Sequence, residues 1–183
     1  MDAMRGFPVC WRSMKQPYKK AGKAAKPVAP FEAHIPGVDY GQLDALVGYA
    51  VRRAQIRIYE DFTVALQPWN ITPQRFSAMT LIHRNPGIKA IELACIMGIA
   101  RSGVAIILNT LEAAGYVRRV GEQKDRRTLA LELSVAGCKA LREISDAVAS
   151  HDARVTSRLD DGQKTLLISL LDRVGTDPEK PAA

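Results

Sequence analysis

Residues 99–133, IARSGVAIILNTLEAAGYVRRVGEQKDRRTLALEL, change hydrophobic period part-way along, and that change limits the folds open to the chain. Val104, Ile107, Leu108 and Leu111 recur at i, i+3, i+4 and i+7, which is one face of a helix. Gly115 stands where a C′ glycine would end such a helix. Residues 116–120 are rich in β-formers, and Leu129, Leu131 and Leu133 alternate with Ala130 and Glu132 as in a half-buried strand. The spacing therefore predicts a helix, a strand, a charged loop and a returning strand. The loop, residues 121–127, holds Lys124, Arg126 and Arg127 against Glu122 and Asp125, and Arg118 and Arg119 stand just before it.

A helix followed by a basic-tipped hairpin is the pattern of a winged helix-turn-helix, whose helix enters the major groove while the wing meets the backbone or minor groove. At these residues the sequence resembles the MarR family of transcriptional regulators, over about residues 39–174. Its most specific part is residues 111–137, where the Leu-Glu before the strand, the Asp-Arg-Arg of the wing and the closing Leu-Ser-x-x-Gly match. The resemblance implies a mainly α fold with a small β-hairpin wing and long N- and C-terminal dimerisation helices. It also implies a homodimeric repressor that binds double-stranded DNA and releases it when a small molecule binds.

Composition agrees with one ordinary domain plus tails: 183 residues, 47% apolar and 25% charged. No apolar run reaches the ~18 residues of a membrane span and no secretory segment follows the N-terminus, so a cytoplasmic protein is expected. Cys10, Cys95 and Cys138 are an odd number at unrelated spacings, which argues against a disulfide framework or a zinc site. The net charge of +7 is unevenly placed: +5 over residues 1–37, −1 over 38–74, +5 over 75–127 and −2 over 128–183. Positive charge collects on the proposed reader and on the tail, as in a protein that meets phosphates through part of its surface.

Taken in order, residues 1–37 have no sustained period and read as a disordered basic arm, or equally as a solvated extension. Residues 39–67 read as one long helix with Leu43, Leu46, Val47, Ala50, Ala54, Ile58 and Phe62 as its apolar stripe. Thr72-Pro73 opens a second helix, closed by residues 85–87. Residues 89–97 form the first helix of the helix-turn-helix, with Ile91, Leu93, Ala94 and Met97 available to the core, and the winged core spans about 70–133. Ser134 caps a second long helix over 135–159. Asp160 and Gln163 make a capping-box variant for a last helix over 161–174, and 175–183 form a polar, flexible tail.

The reading helix begins near Arg101 and departs from the family pattern. Where the family commonly has an opening serine and outward threonine and arginine, this chain has Ala100, Gly103, Ala105, Ile106, Thr110 and Ala114. The candidate DNA contacts are Arg101 and Ser102 for phosphates or bases, Asn109 for an adenine edge, and Ala105 and Ile106 against a thymine methyl. The competing reading packs Ile106 against a neighbouring helix. In the wing, Lys124, Asp125, Arg126 and Arg127 are the candidates, and the resemblance implies that Asp125 orients an arginine, Arg127 before Arg126, into the minor groove. An ordinary surface ion pair is the alternative there.

The resemblance places the effector between the dimer helices and the reader, drawing on the first helix and on Trp69 to His83, with Arg52 or Arg53 to hold a carboxylate or phosphate and Tyr59 to line an aromatic pocket. An aromatic or phenolic acid, or its coenzyme A thioester, is the expected ligand. No cofactor or metal is expected: His34, His83 and His151 are scattered without ligand spacing. A cysteine-based redox regulator is an alternative through Cys95 or Cys138, though neither has clear cationic neighbours. No phosphate loop, GxSxG or HExxH motif supports an enzyme. A winged-helix interaction module that does not read DNA is the remaining alternative, favoured by the apolar Ala105 and Ile106.

Overall fold

The computed structural model describes residues 31–121 and 129–175. The chain divides into residues 1–32 and 33–183, and the fold below is that of the second unit. Its elements are α1 (Val47–Ala65), α2 (Pro73–Arg84), α3 (Ala90–Ile96), α4 (Arg101–Ala113), β1 (Val117–Val120), β2 (Ala130–Leu133), α5 (Val135–Val155) and α6 (Asp161–Arg173), with 3-10 turns at Gly41–Ala45 and Gln67–Trp69. Among the described residues no single helix is long and apolar enough to cross a membrane.

The caps show why the helices start where they do. Thr72 accepts from the backbone N–H of Arg75, with Pro73 at the first helical position. Ser134 accepts from Gly137 N–H, and Asp160 and Gln163 make the reciprocal capping box expected of them. Gly115 (φ +73°) ends α4 in a Schellman motif: Tyr116 N–H reaches Leu111 O and Gly115 N–H reaches Glu112 O, both at 2.9 Å.

The core is the reader. Val104, Ile107, Leu108 and Leu111 of α4 are all buried, as their spacing requires, and meet Ala78, Met79 and Ile82 of α2, Leu93 and Ala94 of α3, Val117 and Leu131 of the hairpin, and Leu141 and Ile144 of α5. The hairpin is antiparallel, with Val117 opposite Leu133 and Arg119 opposite Leu131. A third short piece of sheet was not expected: Lys89 bridges to Ala130, and Leu131 N–H donates to Ile88 O. Ile91, counted for the core, is exposed, because the inner face of so short a helix is filled by Leu93 and Ala94.

Three helix boundaries differ from the sequence reading. The first long helix is interrupted: residues 41–45 form a 3-10 turn, Leu46 is extended, and α1 begins at Val47. The reason lies in Asp44, which is drawn onto Arg53 at 2.8 Å, while His34 Nε2 stands 2.9 Å from both. A continuous helix through residue 46 would carry Asp44 away from that guanidinium. The helix read over 135–159 ends at Val155, where Thr156 turns its hydroxyl back to Asp152 O. The last helix ends at Arg173, with Val174 extended.

Outside the reader the packing changes. Of α1 only Phe62 is buried, and α6 buries no residue at all. Leu166, Leu167, Ile168, Leu170 and Leu171 are exposed, as are Leu43, Leu46, Val47, Val51 and Ile58.

Candidate nucleic-acid interface and effector site

The outward face of α4 is built by elimination. Once Val104, Ile107, Leu108 and Leu111 are committed to the core, Arg101, Ser102, Ala105, Ile106 and Asn109 are left exposed, and Thr110 is half-buried with its hydroxyl returned to Ile106 O. Ile106 is 53% exposed and does not enter the core cluster, so within one chain the packed reading of this residue does not hold. Arg101 at the helix start brings a cation to the end where backbone N–H groups are free, a favourable place for phosphate.

The hairpin rises directly from the end of α4. Arg118 lies on its outer face, its Nη2 2.9 Å from Glu132 Oε2 across the ladder. Arg119 lies on the other face, where its Nε donates to Glu112 Oε1 at 2.7 Å in a pair whose side chains are only 13% and 20% exposed. Lys124, Asp125, Arg126 and Arg127 lie outside the described residues.

The base of the hairpin is locked to α5 by close approach. Ser134 N–H and the Gly137 Cα both meet the Tyr116 carbonyl, and a β-carbon on Gly137 would stand 2.0 Å from that oxygen. The Leu-Ser-x-x-Gly motif read in the sequence is thus a cap plus a contact that only glycine permits.

The effector candidates on α1 are not gathered into one place. Arg52 donates to Gln55 at 3.0 Å on an exposed face, and Tyr59, seven residues on, is also exposed. Arg53 turns the other way, stacks over the Tyr49 ring at 4.7 Å and serves Asp44. The hydrogen bond from His34, with Arg53 beside it, holds the Asp44 carboxyl below its ordinary range. An open cleft of about 530 Å³ lies against α2 and the α3–α4 turn, walled by Pro73, Phe76, Leu81, Ile96, Met97 and Ile99, with Ser77 and Thr80 among its polar residues. The Thr80 hydroxyl is buried and makes no hydrogen bond within the described residues.

One cluster was missed by sequence reasoning. His151 on α5 is 5% exposed, packs edge-on to Phe62, and donates from Nδ1 to Asp61 Oδ1 at 2.6 Å. Arg154 donates to the same carboxylate at 2.8 Å. Arg154 first and His151 second hold the Asp61 carboxyl below its usual value, and Asp61 in turn raises the Arg154 guanidinium. No group of three or more metal-ligating side chains occurs among the described residues. Cys95 is exposed and Cys138 half-buried, both as free thiols, while Cys10 lies outside the described residues.

This arrangement of helix, turn, helix and hairpin can be compared with known proteins. The MarR family model matches residues 71–129. A transcriptional regulatory protein for the hcr operon of Thauera aromatica is 30% identical over 155 residues, 84% of this chain and 93% of its own. The chain belongs to the MarR family. Among solved structures, the transcriptional repressor CouR bound to a 23-mer DNA duplex is 34% identical, with a TM-score of 0.71 over 76% of this chain and 99% of its own. CouR bound to p-coumaroyl-CoA gives 32% and 0.69 over the same shares. The Mycobacterium tuberculosis MarR family protein Rv2887 in complex with salicylic acid gives 27% and 0.56, over 72% of this chain and 98% of its own. The protein is accordingly a transcriptional repressor of the MarR type, with the mainly helical winged fold of that family.

Proposed function

We propose that this MarR-type repressor binds a near-palindromic duplex as a homodimer and releases it when an aromatic acid or its coenzyme A thioester binds. The observation that carries the DNA reading is the outward face of α4, where Arg101, Ser102, Ala105, Ile106 and Asn109 stay exposed beside a basic hairpin. Arg101 and Ser102 meet phosphate or base at the start of the helix, Asn109 bonds an adenine edge, and Ala105 and Ile106 lie against thymine methyls. Lys124, Arg126 and Arg127 hold the neighbouring backbone and minor groove, with Asp125 orienting Arg127.

Dimerisation follows from the apolar faces one chain leaves open on α6, on the first half of α1 and on residues 35–46. A patch of that extent on a chain of this size is an interface in waiting, and a second copy covers it isologously. The two reading helices then address half-sites about one helical turn apart. An aromatic effector is supported by the apolar cleft beside α2 and by the ligands of CouR and Rv2887. Arg52 and Tyr59, exposed on α1, are the residues proposed for its acidic and aromatic parts, Arg53 being engaged with Asp44.

The deciding experiment is a salt series of binding to the DNA upstream of the protein's own gene and to a scrambled duplex, with the full chain and with a chain starting at Val38. A strong preference for the own site in both supports the reader. Equal binding to both duplexes that disappears with the first 37 residues removes the reader and leaves the winged helix as an interaction module. Titration of the DNA complex with p-coumaroyl-CoA and with salicylate then tests release.

A further inference from the structure

We propose that Glu112 is a positioning residue for DNA recognition, acting through Arg119 to hold the wing at a fixed distance from the reading helix. The inference rests on the reading above, in which α4 and the wing engage one duplex. Between them the chain makes only a tight turn: α4 ends at Ala113, Gly115 reverses direction, and β1 starts at Val117. That turn fixes where the hairpin begins, and its base and β2 are held by hydrogen bonds from Ser134 N–H to the Tyr116 carbonyl and from Leu131 N–H to the Ile88 carbonyl. None of these ties β1 directly to the reading helix, and the aliphatic contacts of Val117 with the core are non-directional.

Arg119 lies two residues further along β1, opposite Leu131, on the face turned toward α4. Its Nε meets the Glu112 carboxylate in the last turn of α4 at 2.7 Å, with both side chains largely withdrawn from water. A short charge-assisted hydrogen bond in such surroundings is stronger and more directional than its surface counterpart. Together with the Gly115 turn it closes a triangle whose three sides are the end of α4, the start of β1 and the Glu112–Arg119 bond. Lys124, Arg126 and Arg127 follow β1 in the sequence, so in the proposed complex the direction β1 takes at Arg119 bears on where these cations meet the groove. Arg118, on the other face, pairs with Glu132 within the hairpin itself.

Two accounts of this pair make opposite predictions. If Glu112 were only a charge near DNA, its neutralisation would tighten binding, because a repelled anion is removed. If it positions the wing, neutralisation weakens binding although the protein becomes more positive. The test uses the full chain with Glu112→Gln, Glu112→Asp, Arg119→Gln and the Glu112→Gln/Arg119→Gln double variant. Binding to the own upstream duplex and to a scrambled duplex is followed across a salt series, and thermal melting is recorded for each protein. The expected result is about a tenfold loss for Glu112→Gln and for Arg119→Gln, no further loss in the double variant, and a salt slope reduced by roughly one for the lost wing contact. Glu112→Asp, which keeps the charge on a shorter arm, should fall between wild type and Glu112→Gln, and it stands in if the glutamine variant does not fold. Unchanged or tighter binding by Glu112→Gln, additive losses, or weaker binding with an unchanged salt slope overturns the positioning role. If the wild-type chain itself binds both duplexes alike, the fault lies in the DNA reading rather than in this pair.

Discussion

The reader and the outer helices of this chain are made from the same kinds of residue yet reach opposite states. In the reader, the aliphatic residues of α4 find partners on α2, α3, the hairpin and α5, and all four of its inward positions are buried. In α6, an amphipathic helix with a well-formed capping box, every leucine is exposed. Local sequence is sufficient to make a helix in both places. Burial is what separates them, and for α6 the proposed dimer would supply it. The reader is therefore expected to respond to substitutions as a self-contained core, and the outer helices to respond through association.

The largest effect that would sharpen this contrast is at Gly137. Alanine there drives a methyl into the Tyr116 carbonyl, and overpacking of this severity is expected to cost about 3 kcal/mol or more. Thermal melting should fall by about 6–12 °C. A melting point within about 2 °C of wild type would show that α5 slides freely on the hairpin. Next in size is the double change Leu167→Glu/Leu170→Glu on α6. It should leave the helical circular dichroism in place while weakening the dimer at least a hundredfold in sedimentation, equivalent to about 2.7 kcal/mol. A wild-type chain that sediments as a folded monomer at micromolar concentration would break the comparison outright.

Asp61 joins the two regions, and its replacement is expected to have an intermediate effect. Asp61→Asn leaves His151 an acceptor oxygen but removes the charge that His151 and Arg154 share, and should cost about 1 kcal/mol near neutral pH. Because the folded-state carboxyl titrates below the ordinary 3.8, its contribution is fully present above that value and is lost as pH falls through the lower folded value. The gap between wild type and Asp61→Asn should accordingly close on acidification below about pH 4. A gap that is constant with pH would assign the loss to packing alone. The smallest change expected is Arg127→Ala, about a tenfold loss of operator affinity with the dimer and the melting point intact, read by binding at fixed salt. Undiminished binding would remove the wing arginine from recognition.

What sequence reading captured, and what it did not, follows the same division between local and distant interactions. The inward face of α4, the Gly115 stop, the hairpin alternation and the caps at Thr72, Ser134 and Asp160 all depend on residues within a few positions of each other, and each is present in the fold. The break at Leu46 depends on Asp44 meeting Arg53 nine residues away, and it was read through as helix. The Lys89–Ala130 bridge and the Asp61–His151 contact span about 40 and 90 residues, and no periodicity encodes them. Glu112 was visible as half of the Leu-Glu motif, but its partner was read only as one of several basic residues near the wing. The effector crevice was read over the first helix and residues 69–83; the cleft on α2 falls in the second stretch, whereas Arg53 of the first is turned to Asp44, a partner that helical spacing does not encode.

The contact between Gly137 and the Tyr116 carbonyl also has a mechanical meaning. It makes α5 a rigid beam welded at one end to the hairpin, while His151 pins the other end to α1 about 21 Å away along the axis. A beam of that length converts a tilt of about 10° at the α1 end into a displacement of about 4 Å at the hairpin end, more than the separation of successive bases along the duplex. In the proposed dimer, a shift of α1 would therefore be enlarged before it reached the groove, and two such beams would bring both reading heads out of step together.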